Sequence, residues 1–217
     1  MSGLAAVLWD LDGTLTDSVA FVVDTANAVI AAHGGRLLDF AEVGAMTGLP
    51  LETIFRRSWP DLSEAGAAAL RDEYRAIYEA RAIPATRLFR GARVTLRAFR
   101  AAGLRQATVT GKRAADCERI LRGLGIGREI DLFLGGDSVG RPKPAPDLAL
   151  TALAGLGVDA ARAVVIGDTR TDIAMGRAAG VRTIQVLWGY ERRPLPEADL
   201  AVRTWPALRR AVFALAG

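Results

Sequence analysis

The stretch Ala5-Ala6-Val7-Leu8-Trp9-Asp10-Leu11-Asp12-Gly13-Thr14-Leu15 decides how the rest of the chain is read. Residues 5–9 are apolar without alternation, the pattern of a strand buried on both faces, and the polar and glycine-bearing residues that follow mark its end. Asp10 and Asp12 therefore stand two residues apart where a strand leaves a sheet. With extended backbone both carboxylates can face one cleft. Taken alone, the pair reads equally well as a turn held by Asx hydrogen bonds. The buried strand immediately before it shifts the reading toward chemistry, because it delivers the carboxylates to the mouth of a sheet.

Working outward, four further apolar runs have the same form: Gln106–Val109, Asp131–Leu134, Ala163–Ile166 and Arg182–Val186, with a weaker one at Leu200–Val202. Helix-like segments lie between them, at Gly91–Ala102, Ala114–Gly123, Pro146–Leu156, Thr171–Ala179 and Pro206–Ala216. This alternation predicts an α/β fold, a Rossmann-like parallel sheet with helices on both faces, whose ligands bind at the carboxyl ends of the strands. From Ser18 to about Ala82 the rhythm breaks. The pattern there is helical throughout (Val19–Ala32, Leu51–Arg57, Ser63–Ala82) and spans about 65 residues, the size of a small subdomain. The expected division is a catalytic core of residues 1–16 and 84–217 and an inserted α-helical cap of residues 17–83, seated as a lid over the end of the first strand. The expected moving parts are the loop Met46–Pro50 and hinges near Leu15–Asp17 and Pro84–Phe89.

Two further carboxylates follow another buried run, in Gly167-Asp168-Thr169-Arg170-Thr171-Asp172. Asp168 leaves the strand and Asp172 lies one helical turn on, so both can return to the same mouth. Asp168 or Thr169 also suits a helix cap, but capping alone does not call for the second Asp. Carboxylates converging in this way repel one another, so a cation is expected. Hard oxygen donors without His or Cys favour magnesium. Thr108-Val109-Thr110-Gly111-Lys112 ends a third strand, where a hydroxyl and free N–H groups suit phosphate oxygens. In Gly140-Arg141-Pro142-Lys143-Pro144-Ala145-Pro146, prolines stiffen the backbone around a lysine able to balance the carboxylates and grip a phosphoryl group.

Composition narrows the alternatives. At 217 residues and 51% hydrophobic, the chain can bury a sizeable core, so disorder and coiled coil are excluded. The net charge of +4 arises from dispersed residues, and no zinc, stacking or basic-zipper motif supports a nucleic-acid partner. Cys117 and His33 are single, which excludes an intrachain disulfide and leaves acid–base work to carboxylates or lysine. A reducing, cytoplasmic setting without membrane contact is expected, since the first apolar stretch is not a signal peptide and no run approaches a bilayer span.

Taken in this order, with a helical insert after the first, the four motifs resemble the haloacid dehalogenase superfamily over Val7 to about Val202. Thr16-Asp17-Ser18, Gly48-Leu49-Pro50-Leu51-Glu52 and Trp188-Gly189-Tyr190 make the chain most similar to its phosphoglycolate phosphatase group with an α-helical cap. The resemblance implies that Asp10 is the nucleophile, forming an aspartyl phosphate, and that Asp12 is the general acid and then the base for water. It further implies a Mg²⁺ ion held by Asp10, the Asp12 carbonyl and Asp168, with Asp172 in support. Phosphate is then bound by Thr110, Gly111 and Lys143, with backbone N–H groups of Leu11 and Gly111 completing the cradle.

Two residues depart from the pattern: Gly111 stands where many relatives have Asn, and Arg90 where many have Pro. The implied substrate is a small phosphorylated metabolite. Asp12 argues against dehalogenation, whereas a sugar phosphomutase and a catalytically inactive binding relative remain as alternatives, as do a monomer and a homodimer. Glu52, Arg56 and Arg57 are candidates for reading the leaving group, at least one of them being a solvated helix charge. Trp188 and Tyr190 read as loop packing.

Overall fold

The structure is a computed structural model that describes residues 3–46 and 49–217. Thr47 and Gly48, part of the expected mobile loop, lie outside them. The first half of the chain runs β1 (Ala6–Trp9), β2 (Thr16–Asp17), α1 (Val19–Ala32), α2 (Phe40–Ala45), α3 (Leu51–Ser58), α4 (Glu64–Ala85) and β3 (Arg87–Leu88). It continues as α5 (Ala92–Ala101), β4 (Arg105–Thr108), α6 (Ala114–Gly123), α7 (Asp147–Leu156), β5 (Ala163–Gly167), α8 (Arg170–Ala178), β6 (Arg182–Val186), β7 (Leu200–Val202) and α9 (Trp205–Ala216).

Five parallel strands form the sheet in the order β4-β1-β5-β6-β7. The apolar runs form strands because each supplies two cores at once. On β1, Val7 and Trp9 enter one cluster with α5, α6 and α9, while Ala6 and Leu8 enter another with α7 and α8. Each fully buried aliphatic side chain is worth roughly 1.5–3 kcal/mol, so a strand facing two cores is firmly held in register. β1 lies between β4 and β5, where the direction of strand succession reverses, and the carboxyl ends of these three strands open into one crevice.

The run Asp131–Leu134 is not a strand, in correction of the sequence reading. It touches the edge of β4 at one bridge, Ala107 to Leu132. Backbone bonds join it to β4 only around that bridge, Asp131 N–H to the Gln106 carbonyl at 2.8 Å and Thr108 N–H to the Leu132 carbonyl at 3.0 Å. Beside them the Asp131 carboxylate accepts the Gln106 N–H at 2.8 Å, and the Thr108 hydroxyl serves both the carbonyl and the N–H of Leu134 at 3.0 Å.

Helices α1 to α4 bury an apolar cluster that includes Val29, Ile30, Phe55, Tyr74 and Tyr78, and it also takes in Ile120 from α6. The chain enters and leaves this helical region through β2 and β3, which pair antiparallel, Thr16 with Leu88 and Asp17 with Arg87. Among the described residues, no helix is long and apolar enough to cross a membrane.

Candidate active site

Backbone geometry at the end of β1 presents Asp10 and Asp12. The Leu11 carbonyl accepts the N–H groups of Thr14, Leu15 and Thr16, and Gly13 sits at φ +85°, so the chain folds back at once. Asp10 is buried, and Lys143 reaches it from the loop before α7, with Nζ 2.7 Å from Asp10 Oδ1 and 2.5 Å from Asp172 Oδ1. Burial pushes the Asp10 carboxyl up to about 7, against the pull of Lys143 and with a further push from Asp172 and Asp12. Burial also opposes the Lys143 charge, but Asp10 and Asp172 more than offset it, and the ammonium is held above its ordinary range. Lys143 thus offsets part of the repulsion among the carboxylates that burial leaves without water.

Asp168 is fully buried at the end of β5. Its Oδ1 accepts the Thr14 hydroxyl at 2.9 Å and its Oδ2 the backbone N–H of Tyr190 at 2.7 Å. Burial, then Asp10 and Asp172, hold its pKa well above the usual carboxylate range. Asp172 closes a capping box at the start of α8, with Oδ2 accepting the Thr169 N–H at 2.9 Å and hydroxyl at 2.6 Å. One Asp172 oxygen thus caps the helix while the other meets Lys143.

Oxygen atoms of Asp10, Asp168 and Asp172 lie within 4.8 Å of one another. This all-oxygen donor set, with raised pKa values at two of its members, fits a small hard dication. Both oxygens of Asp168 and of Asp172 already accept hydrogen bonds, so Asp10, which meets Lys143 through Oδ1, is the more open donor.

A cavity of about 300 Å³ borders Asp10, at the lower end for small-molecule sites. Asp10, Asp12, Thr110 and Gly111 line it from the sheet side, and Leu51, Glu52, Tyr74, Arg75 and Tyr78 from the helical side. Thr110 is buried two residues beyond the end of β4, beside Gly111. Glu52 lines the cavity but is bonded to Arg71 at 2.8 Å. Arg56 and Arg57 pair elsewhere, with Glu64 and Glu42.

Lys112 carries a role that the sequence reading did not assign. Its Nζ lies 2.6 Å from Asp12 Oδ2 and 4.2 Å from the centre of the Tyr78 ring. Burial works against its charge, but Asp12 and the tyrosines hold it well above the usual lysine value. Ser18 donates to the other Asp12 oxygen, so Asp12 is held on both sides. Strand-end position was the available signal for Lys112, but nothing in the spacing linked it to Asp12. Tyr190, read as loop packing, also lines the cavity.

Residues 7–186 match the haloacid dehalogenase-like hydrolase family. A probable phosphatase, IndB, of Dickeya dadantii is 34% identical over 96% of this chain and 94% of its own. A phosphoglycolate phosphatase of Xanthomonas campestris pv. campestris is 33% identical over 94% of each. The crystal structure of a predicted phosphoglycolate phosphatase from Haemophilus somnus 129pt superposes with a TM-score of 0.88 at 22% identity, covering 97% of this chain and 99% of that one, which shows the shared fold. With these motifs gathered at one sheet mouth, the chain belongs to the haloacid dehalogenase-like hydrolase family and is an enzyme of the phosphatase type, similar to phosphoglycolate phosphatases.

Proposed function

We propose that the protein is a magnesium-dependent phosphatase of a small phosphorylated metabolite, phosphoglycolate-like in size, acting through a phosphate ester on Asp10. The observation that carries this reading is the placement of Asp10 between Lys143 and the Asp168 carboxylate, beside a cavity that Asp10 and Asp12 both line. An Asp10 oxygen attacks phosphorus, the bond to the leaving oxygen breaks, and Asp12 supplies the proton that oxygen needs. In the second half, Asp12 takes a proton from water as the water oxygen bonds to phosphorus, and the bond to Asp10 breaks to release inorganic phosphate. Thr110, the Gly111 N–H and Lys143 hold the phosphoryl oxygens. A bound magnesium ion would supply positive charge to the same oxygens and to Asp10.

Residues 17–83 serve in this reading as the cap, and the cavity of about 300 Å³ beneath it supports a small substrate over a polymer. The phosphoglycolate phosphatases among the relatives support the size class. The buried free thiol of Cys117 suits a cytoplasmic setting. The test is phosphate release from p-nitrophenyl phosphate and a panel of small phosphoesters, with magnesium, with EDTA, and for Asp10→Asn. Magnesium-dependent release, reduced roughly 10⁴-fold or more in Asp10→Asn, supports the mechanism. Absence of release from folded, metal-loaded protein points to phosphate transfer between substrates or to binding alone.

A further inference from the structure

The segment Trp188-Gly189-Tyr190 joins two parts of the molecule that are distant in sequence. At one end it is fixed: Trp188 Nε1 donates to the Thr14 carbonyl at 3.1 Å, and its ring lies 4.7 Å from that of Trp205. In the middle, a Cβ on Gly189 would stand 2.1 Å from Asp168 Oδ2 and 2.5 Å from the Gly13 carbonyl, so the backbone is pressed against that carboxylate. At the far end, the Tyr190 N–H donates to the same oxygen at 2.7 Å. The Tyr190 ring points the other way, into the helical region. Its centre is 5.7 Å from that of Phe40 on α2, and a Cβ on Gly44 of that helix would come within 2.9 Å of its Cδ1.

One residue therefore holds the Asp168 carboxylate with its main chain and the docking face of α2 with its ring. We propose that Tyr190 is a positioning residue that couples the seating of α2 to the orientation of Asp168, so that metal is held most tightly when the helical region is docked. The inference rests on the reading of Asp168 as a metal ligand. Hydrogen-bond partners of metal ligands typically tune affinity by about 10–100-fold, and a backbone donor escapes direct replacement, so its orientation is controlled through the side chain it carries.

The test uses Mn²⁺ as the probe, with equilibrium binding followed by electron paramagnetic resonance without substrate. Phe40 is 41% exposed, so Phe40→Ala perturbs the contact without opening the core. The expected result is weaker Mn²⁺ binding by about fivefold or more in Phe40→Ala and in Tyr190→Ala, with near-native affinity in Tyr190→Phe. Catalysis in Phe40→Ala should recover at high metal concentration. Unchanged Mn²⁺ affinity in Phe40→Ala, when Asp168→Asn binds weakly, overturns the coupling and leaves the metal site standing. Unchanged affinity in Asp168→Asn overturns both.

Discussion

Lys143 is the residue on which the charge balance turns. It is 2% exposed and contacts two carboxylates, so its removal leaves Asp10 and Asp172 facing each other without a counter-charge. Breaking a buried ion pair from one side costs about 3–5 kcal/mol, and Lys143→Ala is expected to lose that much in urea titrations of metal-free protein at pH 8. At pH 5 the loss should be smaller, because Asp10, already raised to about 7 with Lys143 present, then carries a proton. Equal losses at both pH values would contradict this account.

The second lysine supports Asp12 in a different way. Lys112→Met keeps length and packing on Tyr78 while removing the charge beside Asp12. We expect kcat for a small phosphoester to fall by about 10–100-fold, the scale on which a misplaced proton-transfer group is felt, with less change in KM. A change confined to KM would assign Lys112 to substrate binding alone.

Among the elements, the turns around Asp168 leave little room for change. Gly13 at φ +85° and Gly189 both abut the Asp168 carboxylate, and a Cβ on either would come within 2.4 Å of Oδ2. Gly189→Ala is therefore expected to displace Asp168, weakening metal binding by isothermal titration calorimetry at least tenfold and lowering the melting temperature. A native-like titration would show that the loop yields without moving the carboxylate.

Helix α2 went unread in the sequence although its start carries a legible signal. Asp39 and Glu42 form a reciprocal capping box, with the Glu42 N–H on Asp39 Oδ1 at 2.8 Å. Its shortness hid it, since six residues hold too few turns to show a period. The run 131–134 failed for the opposite reason: its composition suits a strand, but the Thr108 hydroxyl satisfies backbone groups that a ladder would otherwise claim.

At the scale of the whole molecule, two of the three apolar clusters are linked through α6, which lends Cys117 and Leu121 to one face of the sheet core and Ile120 to the helical core. Burial pushes the Cys117 thiol from 9.0 up to about 12. The unfolded chain loses this proton above pH 9 while the folded protein keeps it, so the group's contribution is intact below pH 9 and is lost as pH rises toward 12. Between those values the stability of the wild type should fall relative to Cys117→Ala by about 1.4 kcal/mol per pH unit in denaturant titrations. Parallel pH profiles for the two proteins would show that the thiol ionises as readily folded as unfolded.

Local pattern by itself determined the sheet strands that face two cores, the helices between them and the carboxylates at strand ends, because continuous apolar runs and the polar residues that stop them are adjacent in the chain. The helix limits Val19–Ala32 and Ala114–Gly123 were legible to the residue for that reason. Only the tertiary structure decided which charges meet. Lys143 was legible as a partner for the carboxylates but not which two it meets, Asp10 and Asp172; Lys112 with Asp12, and Tyr190 with both Asp168 and α2, are likewise pairings between segments far apart in sequence. Their partners are chosen by the strand order and by the docking of the helical region on the sheet, which arise from packing of the whole core and leave no periodic trace in the residues themselves.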